Sequence, residues 1–524
     1  MSSIRARALL IGLDAAEPEL LRRWMDSGDL PHLRALVQAG AMADLSTPAL
    51  QFPDLVFHAA YTGRRPANLG RYFFIQPNPH SGALEMIDET SVAAEPFWET
   101  AARQGRRCIV VDGPKLGLRP TAGATLLAGW GAHGPNPPFA TCPADLAAQI
   151  LARHGRYPLA TCDDHGKSAR SYRRVLRTLL AGVEARRGLL LDLMRERPWD
   201  CFFAVFSEPH CVGHQFWHFE DQRHPLHPRS DGHGLRAAMR DVYAAVDRAI
   251  GALVEAAGPD TAVIVFSSHG MRPQYHGRDL LPALLRLWGM HAPRNAAPDP
   301  VADRRRIRVR QPALKVLREL VPLPLQYRVK RRLPQPLVRL LVTRFIGTLR
   351  LEHEARAFYV PNNEINPAVR INVDGRDPFG IVSPGGEYDA LRDFLAERLR
   401  ALINPATNRA ALDDVSLIDR LYPGTLRHVL PDLTGYWSAA APIDALYSPG
   451  YGTVVGSHKD HRTGGHAPQG LVVMRPARGP LRDADIVDIA PSVFDLLGLP
   501  IPPDIEGRSL LTPVAVSRAL PENR

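Results

Sequence analysis

The sequence predicts a doubly wound α/β fold, with a mostly parallel central sheet, helices on both faces and an inserted basic helical cap. Three observations carry this. Short apolar runs of strand length recur along the chain, helical stretches of ten or more residues separate them, and polar residues follow several of the runs at once. In open sheets of this kind the chemistry collects at the carboxyl ends of the strands.

Taken in order, ALLIGL (8–13) is the first apolar run and ends at Asp14. Two helical stretches, 18–28 and 30–40, lead to the strand AMADLS (41–46) and then to DLVFHAAYTG (54–63). CIVVDG (108–113), a long helical period over 172–197, CFFAVF (201–206), a second helical period over 235–258 and AVIVF (262–266) complete a βαβ rhythm. From about 290 to 350 the texture turns Pro-broken and Arg-rich, as an inserted cap or arm would be. Patterning resumes with RINVDGRDPFGIV, a helix over 388–403 and ADIVDIAPSVFDLLGLP. The expected organisation is one core domain in two parts, 1–289 and 351–524, interrupted by the insertion 290–350.

Composition narrows the class. With 524 residues, 45% hydrophobic and 23% charged, the chain has the make-up of a globular enzyme with a large core. The net charge of +10 is local: residues 304–344 hold thirteen basic residues against Glu319, so the remainder is slightly acidic. No specific nucleic-acid binding is expected. Because Leu and Val interleave with Arg there, contact of 304–344 with an anionic surface is an alternative to a solvated cap. The five cysteines are an odd, scattered set without CxxC spacing, which suggests neither a disulfide framework nor a cysteine-based zinc site. The first apolar run is too short for a signal peptide or a membrane span, and a cytoplasmic location is the expectation.

The candidate chemistry sits at strand ends. Asp14 can face a ligand, or cap the following helix. In EPHCVGHQFWH, His210, His214 and His218 recur every four residues, a spacing that puts imidazoles on one helical face and lets His210 and His214 chelate one ion. Pro209 and Gly213 put a continuous helix in question, and such pairs also arise from packing alone. Ser268 and His269 end a second strand, and His466 lies in a Gly-rich loop, HRTGGHAPQG, with His461. Each cluster alone is weak; together they fall where a doubly wound sheet would converge them.

In order, LLIGLDA, YTGRRPANLGRY, EPHCVGH, SSHGM, GGHAPQG and DIAPSVFDLLGLPIPPDIEGRSLL resemble the alkaline phosphatase superfamily, in its type I phosphodiesterase and nucleotide pyrophosphatase branch. The resemblance runs from residue 8 to about 511, outside the basic insertion. It implies an alkaline-phosphatase-like fold and a pair of divalent ions, commonly zinc, about 4 Å apart, that clamp a phosphoryl group while a Thr or Ser attacks it. Carried over, one ion would take Asp14, Ser268 and His269, and the other His210, His214 and His466.

The chain departs from that pattern three times. Ser268 stands where the family has Asp, and His210 replaces another Asp, so two negative charges are gone while a three-imidazole zinc set appears. One ion or two is therefore open. The family's hydroxyl nucleophile is also displaced: matching the Phe-Pro dipeptide lands on Gln51 and counting back from Thr62 lands on Pro53. Ser46, Thr47 and Asp54 are the nearest candidates, Asp54 best placed for the start of the helix and Thr47 with the expected chemistry, against plain turn and cap roles. A sulfatase pattern is missing around Cys142-Pro143.

The function expected is hydrolysis of phosphodiester or phosphoanhydride bonds in a phosphorylated small-molecule or lipid-like substrate, with attack by a water molecule open. The alternatives are a catalytically impaired relative that binds a phosphorylated ligand or partner, and hydrolysis of another ester such as a sulfate or phosphonate.

Overall fold

The computed structural model describes residues 7–511 apart from 88–91, 93, 132–138, 160–161, 164–166, 230–233, 292–305, 309–336, 338–350, 363–365, 457–461 and 482. Most of the basic insertion, including its expected helical cap, and His461 thus lie outside the described residues.

Five neighbouring strands run parallel in the order Thr261–Ser267, Arg7–Leu13, Cys201–Phe206, Cys108–Val111, Ala124–Ala128. Ala140–Cys142 closes one edge antiparallel. On the other side Gly470–Arg475 pairs antiparallel with Thr261–Ser267, and Ala41–Ser46 and Ala484–Asp485 complete nine strands. The apolar runs are continuous because both faces are covered. Leu9, Ile11 and Leu13 enter one core with the helices Ala169–Glu196, Glu208–Glu220 and Ala238–Ala257. Ala8 and Leu10 enter the other with Val56–Thr62, Phe97–Arg103 and Ile489–Leu496.

The C-terminal part differs from the expected resumption of α/β patterning. Ala357–Tyr359, Ala368–Ile371, Leu433–Trp437 and Leu412–Leu417 form an antiparallel sheet. With the helix Gly386–Arg400 they enclose a third core of their own. Ala368–Ile371 and Leu433–Trp437 are buried along their whole length, while Leu412–Leu417 exposes Asp413 at an irregularity in its pairing between Leu412 and Asp414. The chain then returns to the main sheet through Gly464–Ala467 and Gly470–Arg475.

One local expectation is corrected. Glu208–Glu220 is a single continuous helix. Pro209 sits in its first turn, where the missing N–H has no intrahelical partner to lose. Gly213 keeps the helix surface flat: a Cβ at Gly464 would stand 2.2 Å from the Gly213 carbonyl oxygen, so this approach of strand to helix requires glycine at 464.

Candidate metal centre

The His210 helix is anchored from beneath. Glu208, buried in its first turn, accepts from Arg186 Nε at 3.0 Å and from the Tyr157 hydroxyl, and Arg186 Nη1 reaches Asp112 Oδ2 at 2.8 Å. Helical spacing turns His210 and His214 to one side. Across from them the ribbon Gly270–Pro273 pairs antiparallel with Gly464–Ala467, setting Met271 opposite His466. Thr463 N donates to His214 O at 2.8 Å, and the His214 Nδ1 hydrogen bonds to Gly464 O at 2.6 Å.

Three imidazoles converge as a result. His210 Nε2 lies 3.0 Å from His214 Nε2 and 3.1 Å from His466 Nε2, and all three are buried. Because Nδ1 of His214 donates to a carbonyl, its Nε2 presents a bare lone pair to the cluster. A tetrahedral ion with bonds of about 2.0–2.1 Å would separate ligand nitrogens by about 3.3 Å, a few tenths of an ångström from the two His210 separations, and all three residues have ligand atoms within 4.8 Å of one another.

The second corner is built differently. The His269 and His466 rings meet edge to face with centroids 4.4 Å apart. His269 Nδ1 is 2.9 Å from Ser268 Oγ, which also lies 3.5 Å from Asp14 Oδ1 and accepts from the Ala15 N–H at 3.2 Å. His269 Nε2 is buried with no hydrogen-bond partner among the described residues. Burial pushes its pKa down to about 3, so the ring is neutral and able to act as a ligand. Ala15, next to Asp14, is held at φ 50°, a left-handed conformation that costs a non-glycine residue about 1–2 kcal/mol. This corner offers one carboxylate, one hydroxyl and one imidazole.

The candidate nucleophiles are placed apart from each other. Thr47 Oγ1 donates to Pro468 O at 2.8 Å, two residues past His466, and accepts from Ala49 N at 3.2 Å as the cap of a short 3-10 turn. Asp54 is buried between Arg71 at 3.0 Å and Lys115 at 3.2 Å. Burial alone would raise its pKa, but Lys115, Arg71 and His58 outweigh that and hold it below the usual carboxylate range. Gln51 is tied into the antiparallel subdomain: its amide donates to Ser416 Oγ at 2.9 Å and accepts from the Tyr422 hydroxyl at 2.8 Å. His218 does not extend the imidazole cluster; its Nδ1 lies 3.1 Å from Thr463 Oγ1.

Some residues at the centre carry no motif. Arg462 Nη1 stands 3.4 Å from His214 Nε2, with its Nε and Nη2 on Asp163 at 3.1 and 2.8 Å. Four residues from His466 in RTGGHAP, it could have been suspected only from that proximity. Arg186 and Asp112 lie far from the histidines in sequence, and nothing local marks them.

A mostly parallel sheet with buried imidazoles and an aspartate at its carboxyl edge is an alkaline-phosphatase-like fold with a candidate metal centre where such sheets gather their chemistry. Within that class the chain belongs to the type I phosphodiesterase / nucleotide pyrophosphatase family, whose model matches residues 8–316. No curated protein matches it. Among solved structures it is similar to phosphonoacetate hydrolase from Sinorhizobium meliloti 1021 in complex with phosphonoformate, with 17% identity, a TM-score of 0.52 and coverage of 94% of this chain and 95% of that one. Murine ectonucleotide pyrophosphatase / phosphodiesterase 5 is more distant, at 12% identity and a TM-score of 0.45 over 95% and 96% of the two chains. The first likeness bears on the fold. No helix among the described residues is long and apolar enough to cross a membrane.

Proposed function

We propose that this chain is a metal-dependent hydrolase of phosphoester-type bonds that works with one transition-metal ion, zinc by preference, on His210, His214 and His466. The observation that carries the proposal is the Nε2 cluster, with adjacent separations of 3.0 and 3.1 Å, its tautomer at His214 set by Gly464 O. When bound there, a dication supplies Lewis-acid polarisation of a phosphoryl oxygen. A second ion would have to rest on Asp14, Ser268 and His269, where a single carboxylate offsets its charge, so occupancy by one ion is the better match to this donor set.

The residues divide the remaining work. Asp14 and His269 face the reacting side of the cluster and orient the group bound there. Neither Gln51 nor Pro53, the two positions that match the family's hydroxyl, can attack, and Asp54 is neutralised by two cations. Of the hydroxyl groups Thr47 is the remaining candidate, but its proton is committed to Pro468 O, which favours attack by a water molecule. The substrate class is a phosphorylated small molecule, and the basic run 304–344 suits contact with an anionic or lipid-like portion of it. A cytoplasmic location belongs to this reading.

Metal analysis of the purified protein together with hydrolysis of bis-p-nitrophenyl phosphate and of p-nitrophenyl phosphate tests this. One zinc per chain and turnover of at least one ester are expected. Absence of both would leave a non-catalytic phosphate-binding relative. Stoichiometric zinc retained by the H214A/H466A double variant would show the ligand set to be wrong.

A further inference from the structure

The strand that carries His466 belongs to a two-stranded ribbon, Gly270–Pro273 with Gly464–Ala467, and a pair of strands by itself is marginally stable in water. Its position therefore depends on what grips it from outside. The ribbon is gripped at two residues that face each other across it. On one strand the Met271 N–H donates to Glu17 Oε2 at 2.6 Å, and on the other His466 O accepts from the Tyr436 hydroxyl at 3.2 Å. Tyr436 is buried and comes from Leu433–Trp437 in the antiparallel subdomain. Its hydroxyl thus joins that subdomain to the backbone of a metal-ligand candidate.

Arg272 fixes the tyrosine ring. Its Cζ lies over the ring, 3.5 Å from the centroid, as a cation–π contact, and its Nη2 donates to Trp437 O at 2.5 Å. Strand register explains how its charge is met. Pairing passes from Leu412 opposite Trp437 to Asp414 opposite Tyr436, and Asp413, the extra residue at that irregularity, brings Oδ2 to 3.5 Å from Arg272 Nη1. Arg272 itself faces Gly465, the residue before His466. The guanidinium thus holds the ring against the same ribbon that the ring's hydroxyl grips.

We infer that Tyr436 is a positioning residue for His466, held in place by Arg272, so that the antiparallel subdomain helps to set the geometry of the metal centre. This rests on the three-histidine reading of the centre and extends it to a side chain that offers the ion no atom. The bond to His466 O restrains the backbone from which the imidazole projects. Outer groups that orient a ligand change metal affinity by about 10–100-fold when removed, and a restraint acting through the backbone belongs at the lower end, about tenfold.

Zinc affinity and the visible absorption of the cobalt(II)-substituted protein, which reports coordination geometry, test it. Y436F should bind zinc about tenfold more weakly, read by competition with a chromophoric chelator, and its cobalt spectrum should shift. Y388F is the control: Tyr388 donates to Asp432 Oδ1 at 2.9 Å in the same subdomain, so a comparable hydrogen bond is lost, yet both readouts should stay at wild-type values. R272K keeps the charge and loses the planar stack, and should move both readouts in the direction of Y436F. Wild-type affinity and spectrum in folded Y436F overturn the inference. Equal weakening in Y388F and Y436F overturns it as well, since the effect would then be one of general stability; either result leaves the hydrolase reading standing. If Y436F does not fold, R272K decides by the same two readouts. A wild-type protein that takes up no zinc sinks the metal-centre reading and this inference together.

Discussion

Replacing Gly464 with alanine isolates the contact that brings strand and helix ligands together. The added Cβ would stand 2.2 Å from the Gly213 carbonyl oxygen, 3.0 Å from its carbon and 3.0 Å from Trp217 Cβ. Carbon to oxygen contact needs about 3.2 Å or more, so the strand must retreat by about 1 Å, and backbone on both sides leaves no flexible group to yield. His466 travels with the strand, and the 3.1 Å separation from His210 opens beyond the few tenths of an ångström that a zinc centre tolerates. The expected cost is about 1–3 kcal/mol of stability for overpacking, and zinc affinity weaker by about 10–100-fold, the size of effect seen when the hydrogen bond orienting a ligand is lost. Gly213→Ala is the internal comparison. The three atoms nearest its Cβ all belong to the Met271 side chain, at 2.7–3.3 Å, and a flexible thioether can move aside, so a cost under about 1.5 kcal/mol is expected. Chelator competition and urea unfolding of both variants provide the assay. A folded G464A protein with wild-type zinc affinity would refute the claim that this close approach assembles the centre.

Four further outcomes are expected. Arg186→Met should destabilise the protein by about 3–5 kcal/mol, because Asp112 and Glu208 would remain buried without their shared cation; urea unfolding measures it. Asp54→Ala should lower stability by about 1–3 kcal/mol by removing the carboxylate that Arg71 and Lys115 share, with zinc stoichiometry unchanged; lost zinc would place Asp54 in the metal centre. Thr47→Ala should cost about 1 kcal/mol as a lost cap and keep most turnover, whereas a loss of about a thousandfold in kcat would identify Thr47 as the nucleophile. The pH dependence of stability should show two opposed contributions. Burial pushes Glu17 up to about 7, so its contribution is favourable at low pH and declines as pH rises from about 4.5 to 7; burial pushes His218 down to about 3, so its contribution is lost as pH falls from about 6.5 to 3. Urea titrations of E17Q and H218N across that range should each flatten the corresponding limb.

Much of the site was legible because its residues follow strands. Asp14, Ser268 and His269 end apolar runs, and a run buried on both faces can be recognised from composition alone. The four-residue spacing of His210 and His214 needed a helix through Pro209 and Gly213, and local propensity argued against it. What overruled propensity was tertiary: Pro209 lies in the first turn, the Gly213 surface seats the ribbon, and Glu208 is held by Arg186. The antiparallel subdomain was not legible because its strands run for only three to six residues, and apolar runs of that length cannot be told from the end of a helix or a loop.

By itself, then, the sequence determined the doubly wound core, the order of its strands along the chain and the residue types available at their ends, since burial on one face or two writes directly into hydrophobic pattern. Only the tertiary structure decided which of those residues meet. It joined His466 to the His210 helix across 256 positions, set Arg462 against His214, tied Thr47 to Pro468 and gave Asp54 to Arg71 and Lys115. Those pairings come from strand order and from close backbone approach at Gly464, and both depend on contacts between distant segments that no local stretch of sequence encodes.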